Sequence, residues 1–262
     1  MNSSSFSNFR RPFVANDIVF LDEVGSTNDY AKELGASGAL HGTAVIAAKQ
    51  TSGKGRLGRA WDGGVAKDIY LSILLRPKFE PTRLTLMTAV CVCHVLNEIL
   101  GPTSEKPARP KALIKWPNDI VADGKKICGI LAESGAYGVV LGIGINVFRD
   151  SFPPELAQRS TSLNLLTGCE FDRSDIIKLL LTELSACYER FEADGIAAIS
   201  DEYRTLCVNL GKAVSIHEKD TFYKATAIGI SPDGALEVLL ENGEKRALDS
   251  GEVSVRGIYG YI

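Results

Sequence analysis

The chain of 262 residues has no apolar run of about 18 residues, which excludes a membrane-spanning helix. It has no excess of positive charge either. Its 29 Lys and Arg stand against 32 Asp and Glu, so no global basic field draws it to nucleic acid and any cationic patch is local. The 6 cysteines fall at no metal-like spacing and read as reduced thiols of a cytoplasmic protein, mostly small apolar fillers. The 3 histidines (41, 94 and 217) are equally scattered, so the sequence offers no fixed metal site and they receive no role. The absence of an internal repeat removes solenoids and propellers. The first sixteen residues, MNSSSFSNFRRPFVAN, contain no acid, as in organelle transit peptides, but they are short and carry no helical apolar face. A disordered tail over 1–16 is the expectation. What is present is ordinary for a globular chain: 45% hydrophobic and 23% charged residues, enough for one large core and a small second domain.

Hydrophobic patterning divides the chain at about residue 210. DIVFLDEV (17–24) reads as a strand, and STNDYAKELGASG as a helix capped by Ser26 or Thr27. GTAVIAAKQ (42–50) and KDIYLSILLRP (67–77) are buried-strand patterns, and residues 80–100 form a long helix opened near Pro81 and closed by Gly101. The proline-rich segment 101–111 reads as a linker-like loop. Three or four strands follow, with Asp123-Gly124 marking a tight hairpin turn. Residues 172–194 form an amphipathic helix capped by Asp172 or Ser174, with another helix over 195–207. Beyond 210, short strands are split by Pro232-Asp233-Gly234 and Asn242-Gly243, the pattern of a small all-β domain.

The segment AAKQTSGKGRLGRAWDGG (47–64) contains Gly53, Gly55 and Gly58 at the G-x-G-x-x-G spacing. A dinucleotide-binding turn requires a helix after the last glycine, and here a Gly-Gly pair and then a strand follow. A Walker A loop fails because Gly55, not Ser or Thr, follows Lys54. What remains is a loop whose glycines let amides approach an anion while Lys54, Arg56 and Arg59 supply charge. A solvated basic loop with no ligand is the alternative.

Two further stretches bear on that choice. KWPNDIVADGKKICGIL (115–131) holds Lys115, Asn118, Asp119 and Lys126, and Pro117 keeps Trp116 extended before the hairpin. Strand parity puts Lys126 on the face of Cys128, opposite Ile127. A Lys in a core-like strand is costly unless it meets an anion, although a hairpin-rim charge is the plainer reading. LGIGINV (141–147) sets the polar Asn146 in an apolar strand, with Gly142 and Gly144 leaving room for a ligand on the sheet. An Asn bridging backbone groups within the core is the alternative there.

Taken together, GSTNDYAKEL (25–34), KQTSGKGRLGRAW (49–61), YLSILLRP (70–77), KWPNDI (115–120), GKKICGIL (124–131), GIGINV (142–147) and GEVSVRG (251–257) resemble the biotin–protein ligases. The resemblance implies an α/β (α+β) mixed-sheet catalytic domain of the biotin/lipoate ligase type over 17–209, followed by a small all-β SH3-like domain over 210–262. It implies activation of biotin with MgATP to biotinyl-5′-AMP, then transfer to a lysine of a biotin carboxyl carrier protein. Ser26, Thr27, Asn28, Gln50 and the Lys54–Gly55–Arg56 segment would line the biotin site, with Lys126 between the biotin carboxylate and the α-phosphate. Gly53, Arg59, Trp61 and Lys115, with Asn118, Asp119 and Asn146, would form the adenylate end. A carboxylate is already a nucleophile, so the first step needs positioning and charge compensation, assigned to Lys126 and Arg56. Mg²⁺ would arrive with ATP near Asp119, which would also help accept the carrier lysine's proton.

The chain departs from the family pattern at Lys54 and Leu57, where Arg is frequent; Lys54 keeps the charge without the planar fork. The members that also act as repressors cover adenine with a loop Trp after the GIN strand. Here Phe152 or Leu156 stands in that loop. Those repressors carry an N-terminal helix-turn-helix domain, and with the first strand near residue 17 no DNA binding is expected. An exposed sheet edge would serve the carrier or a homodimer. A lipoate or octanoate ligase is the nearest enzymatic alternative, and a biotin sensor without catalysis the non-enzymatic one. The first calls for a long apolar tunnel, and the second for missing catalytic charges.

Overall fold

Strand β1 (Asp17–Val24) leads into helix α1 (Thr27–Ala36), whose Ser26 cap accepts a bond from the Asp29 N–H at 3.5 Å. That helix carries the chain back, so that β2 (Thr43–Gln50) lies parallel to β1, the pairing that a helical crossover permits. The other strand pairings of this sheet are antiparallel. Strand β3 (Ile69–Leu75), helix α2 (Arg83–Ile99), β4 (Leu113–Lys115), β5 (Asp119–Ala122), β6 (Lys125–Gly135) and β7 (Gly138–Ile145) complete a mixed sheet in the order β1-β2-β3-β7-β6-β5-β4. Asp123 and Gly124 join β5 to β6 with φ of 50° and 71°, the paired positive angles of a tight hairpin. The computed structural model describes residues 3–10, 12–62, 68–102, 110–218, 221–249 and 253–257. The linker-like reading of 101–111 falls mostly outside them, as do the Gly63-Gly64 pair and part of the final strand motif.

Both faces of the sheet are covered, which is why its strands read as continuous apolar runs rather than alternating ones. Leu71, Ile73, Leu141, Ile143 and Ile145 face one core, which α2 closes together with α5 (Arg173–Asp194). Val45, Leu74 and Val140 meet Ala31 of α1 on the other side. Each such fully buried aliphatic side chain contributes about 1.5–3 kcal/mol of transfer free energy. Two short helices, α3 (Pro154–Ala157) and α4 (Leu163–Thr167), lie between β7 and α5. Asp172 caps α5 by accepting from the Ser174 N–H at 2.7 Å. The helix expected over 195–207 is split into a 3-10 turn, Gly195–Ala198, and α6 (Ser200–Leu206).

The described residues of the segment expected to be a disordered tail, 3–10 and 12–16, are packed on the domain. Short turns at Ser3–Phe6 and Phe13–Ala15 dock on the catalytic domain, with Phe6, Val14 and Ala15 fully buried. Phe6 packs on Phe9 and Phe20, and Phe13 stacks on His41 at 5.5 Å and meets Tyr188 edge-on. Burial of these aromatic faces outweighs the entropy of ordering a Ser-rich segment. His41 Nδ1 accepts the Arg76 N–H at 2.9 Å, and burial holds its pKa below the ordinary 6.5 against the opposing charge of Glu192, with Arg76 adding to the lowering. A histidine with a lowered folded pKa takes up protons more readily when unfolded. Its contribution to stability is therefore complete above pH 6.5 and is lost as the pH falls through the folded value. The melting temperature should accordingly drop on acidification below 6.5, and His41→Asn, measured across the same pH series, should flatten that dependence.

The C-terminal unit consists of β8 (Ala213–Glu218), β9 (Thr221–Ile230), β10 (Leu236–Leu240), β11 (Lys245–Leu248) and β12 (Val253–Gly257), all antiparallel in the order β11-β10-β9-β8-β12. It seats against the catalytic domain around Trp116, which is 1% exposed. The Trp116 N–H donates to Asn209 Oδ1 at 2.8 Å, and Arg83 pairs with Asp233 at 2.7 Å.

Candidate active site

One cavity of about 760 Å³ opens on the α1 side of the sheet. It exists because three side chains are missing. Tyr70, Gly144, Gly129, Asp119 and Lys115 are successive register partners across β3, β7, β6, β5 and β4, so the middle of that row has no side chains above the backbone. Gly142 repeats the omission one step along β7, opposite Ser72 and Leu131. The indole of Trp61 lies flat on this floor: a methyl on Gly129 would come within 2.6 Å of it, and one on Gly144 within 2.7 Å.

At one end the walls are polar and neutral. Gln50 Oε1 accepts from the Thr27 N–H at 2.7 Å and from Thr27 Oγ1 at 3.0 Å. Ser72 Oγ stands 2.7 Å from Thr27 Oγ1 and donates to Asn28 Oδ1 at 2.6 Å. Asn28 Nδ2 donates to Glu133 Oε2 at 2.7 Å, and Glu133 is held by Lys32 at 2.6 Å. Ser26, Thr27, Asn28, Gln50 and Ser72 are all buried, so their groups must be hydrogen-bonded, and together they fix one another's orientation.

The opposite end is charged. Lys126 Nζ pairs with Asp119 Oδ1 at 2.5 Å and lies 5.3 Å from the Trp61 ring centroid. Arg56 Nη1 donates to Asn118 Oδ1 at 3.2 Å, and Asn118 Nδ2 donates to the Ile130 carbonyl at 2.9 Å. Burial lowers the Arg56 pKa from its usual value, while the nearby Asp119 carboxylate works in the opposite sense. The Lys126 backbone is clamped as well: its N–H donates to the Arg159 carbonyl at 2.7 Å and its carbonyl accepts from the Thr161 N–H at 2.8 Å.

The parity expectation for Lys126 is corrected by this geometry. Val121 pairs with Lys126 but Ile120 pairs with Cys128, so Ile127 is an extra residue, a β-bulge. The bulge reverses the alternation. Cys128 enters the core beside Ile127, while Lys126 Nζ falls 3.2 Å from where a Gly129 methyl would be.

The glycine-rich loop is a small hairpin. Lys54 bridges to Ala60, the Gly55 N–H donates to the Arg59 carbonyl at 2.7 Å, and the Trp61 N–H donates to the Gly53 carbonyl at 2.9 Å. Leu57 at its tip has φ of 56° and is exposed. Among the described residues no helix stands between this loop and β3, where a dinucleotide turn would need one. Lys54 pairs with Asp29 of α1 at 2.7 Å, which ties the loop to that helix.

Of the residues assigned to the biotin and adenylate ends, all except Gly53 line this cavity. Gly53 sits at the hairpin base, where a methyl would meet the Trp61 carbonyl at 2.7 Å. Asn146 reaches the wall, but its Nδ2 donates to the Thr161 carbonyl at 3.0 Å and its backbone N–H to the Ile127 carbonyl at 2.9 Å. The backbone-bridging reading of Asn146 therefore holds in part. Sequence reasoning missed Ser72, Glu133 and Arg149. Ser72 had a signal, a hydroxyl in the buried run IYLSILL; Arg149 had none. Phe152 and Leu156, named for the adenine, both line the cavity.

Comparison with known proteins defines the class. Residues 21–147 match a family profile described as the biotin/lipoate A/B protein ligase family, and residues 210–256 one described as the biotin protein ligase C terminal domain. The bifunctional ligase/repressor BirA of Bacillus subtilis is 33% identical over 237 residues, covering 87% of this chain and 70% of that protein. The biotin–[acetyl-CoA-carboxylase] ligase of Mycobacterium tuberculosis is 33% identical over 195 residues, covering 74% of this chain and 72% of that protein. Among solved structures, the Aquifex aeolicus biotin protein ligase in complex with biotin and ATP aligns with a TM-score of 0.81 at 31% identity, covering 93% of this chain and 100% of that one. The chain belongs to the biotin–protein ligase family.

Proposed function

We propose that the chain activates biotin with ATP to biotinyl-5′-AMP and pyrophosphate, then transfers the biotinyl group to a lysine of a biotin carboxyl carrier protein. The observation that carries this reading is one cavity with a neutral hydrogen-bonding end and a cationic end joined by a side-chain-free floor. The Thr27–Gln50–Ser72–Asn28 network suits the ureido ring of biotin, which offers both donors and an acceptor. The valeryl chain would run from that end past the Trp61 indole and bring its carboxylate to Lys126. There the carboxylate oxygen attacks the α-phosphorus in line, and the bond to pyrophosphate breaks. Lys126 and Arg56 offset the charge gathering on the phosphate, the term to which such steps are most sensitive. Asp119 keeps Lys126 turned into the cavity until a phosphate takes its place. Lys115, Asn118 and Arg59 support a nucleotide at this end, with Phe152 or Leu156 beside the adenine. Mg²⁺ would enter with the ATP phosphates, near Asp119, and assist departure of pyrophosphate. In the second step the carrier's neutral amine attacks the anhydride carbonyl, AMP leaves, and Asp119 is the carboxylate available to take the proton.

The test is the intact mass of a purified biotin carboxyl carrier domain after incubation with the protein, biotin and MgATP. A single biotinyl gain that requires ATP is expected. A gain with lipoate in place of biotin would move the chain to the sister activity, and no gain with either would overturn the transfer step.

A further inference from the structure

Arg149 lies beyond the chemistry just described, yet its guanidinium is only 2% exposed and joins three walls of the cavity. Its Nε donates to Asp68 Oδ2 at 2.5 Å, and Asp68, 1% exposed, also accepts the Val147 N–H at 2.8 Å through Oδ1. Its Nη1 pairs with Asp62 Oδ2 at 2.6 Å, and its Nη2 donates to the Asp62 carbonyl. The face of the guanidinium lies 5.3 Å from the Phe152 ring centroid. One planar fork therefore holds the residue after Trp61, the residue before β3, and the chain leaving β7. Arg173 Nη1 donates to the Asp68 carbonyl at 3.2 Å and adds a second cation beside Asp68.

A buried ion cluster of this kind is weak evidence for stability, because desolvation offsets most of its attraction. Its geometry has a more specific consequence. Trp61 is tied on one side by its N–H on the Gly53 carbonyl and on the other is followed by Asp62, which the Arg149 fork holds. We propose that Arg149 and Asp62 are positioning residues that hold the Trp61 indole over the glycine floor, and so retain the biotinyl-adenylate between its formation and its transfer. This rests on the ligase reading above. Asp68 anchors the fork; Asp62, 38% exposed, is the arm that acts on the loop.

The experiment uses Asp62→Ala and Asp62→Glu, since removing Arg149 would leave Asp68 buried without its cation and threaten folding. The wild-type chain is first tested for biotin-dependent pyrophosphate release; silence there overturns the ligase reading, and this proposal with it, before any variant is compared. Biotinyl-5′-AMP formed on the enzyme is then chased with unlabelled biotin and ATP, and its escape rate is measured beside the saturated rate of formation. With one charge-assisted arm lost, Asp62→Ala should release the intermediate about tenfold to a hundredfold faster. Formation should fall by a much smaller factor. Asp62→Glu should recover most of the retention, and acrylamide should quench Trp61 fluorescence more strongly in the Ala variant without ligand. Escape within twofold of wild type, equal behaviour of Ala and Glu, or equal losses in formation and retention would each overturn the assignment.

Discussion

Lys126→Ala should suppress biotinyl-5′-AMP formation by about a hundredfold to a thousandfold, the usual effect of removing one preorganised electrostatic contact to a developing charge. The side chain is 24% exposed and meets Asp119 and the Trp61 ring at the edge of the cavity, so the core loses little when it is shortened. The loss should appear in the turnover number for biotin-dependent pyrophosphate release rather than in biotin binding, because the proposed site puts the ureido ring at the neutral wall, away from Lys126. An enzyme retaining near-normal turnover without Lys126 would remove that residue from the mechanism and leave Arg56 as the principal cation.

Gly142→Ala should have the second large effect, and at the opposite end of the site. A methyl there would stand 2.2 Å from Asn28 Oδ1, closer than real contacts allow. Asn28 has no easy retreat, being tied to Ser72 at 2.6 Å and to Glu133 at 2.7 Å. Either the amide leaves both partners or β7 shifts. Disruption of buried bonds of this kind, one of them to a charged group, is worth about 1.5–3 kcal/mol, so biotin affinity should fall about tenfold to a hundredfold. Calorimetric titration with biotin alone, without ATP, would measure it. Unaltered affinity in a folded variant would mean that the Asn28 network does not face the ureido ring.

Much of this site was legible in the chain because its signals were local. Ser26 and Asp172 announced their helices by capping, Asp123-Gly124 announced its hairpin, and Gly142 and Gly144 in an apolar strand announced a space above the sheet. What escaped depended on register or on distance. The bulge at Ile127 follows from how β6 meets β5, so parity counted along β6 alone put Lys126 on the wrong face. The docking of Phe6 follows from the aromatic groove that awaits it, not from its Ser-rich neighbours. The Arg149 clasp joins residues 62, 68 and 149, whose separation leaves no periodic trace. Asn146 stood out as a polar residue in an apolar run, but it falls just past the end of β7 at Ile145, and only the position of Thr161 shows where its Nδ2 bond goes.

The side-chain-free floor at Gly129, Gly142 and Gly144 sets fold and catalysis against each other. A methyl at any of these positions would ordinarily firm a strand, since glycine in a sheet forfeits packing and carries the largest entropy loss on folding. Here each such gain would displace a side chain that shapes the site, Trp61 at Gly129 and Gly144 or Asn28 at Gly142. Selection for a sturdier sheet and selection for an open site therefore act on the same three atoms in opposite directions, and thermostable relatives should have acquired their robustness elsewhere in the molecule.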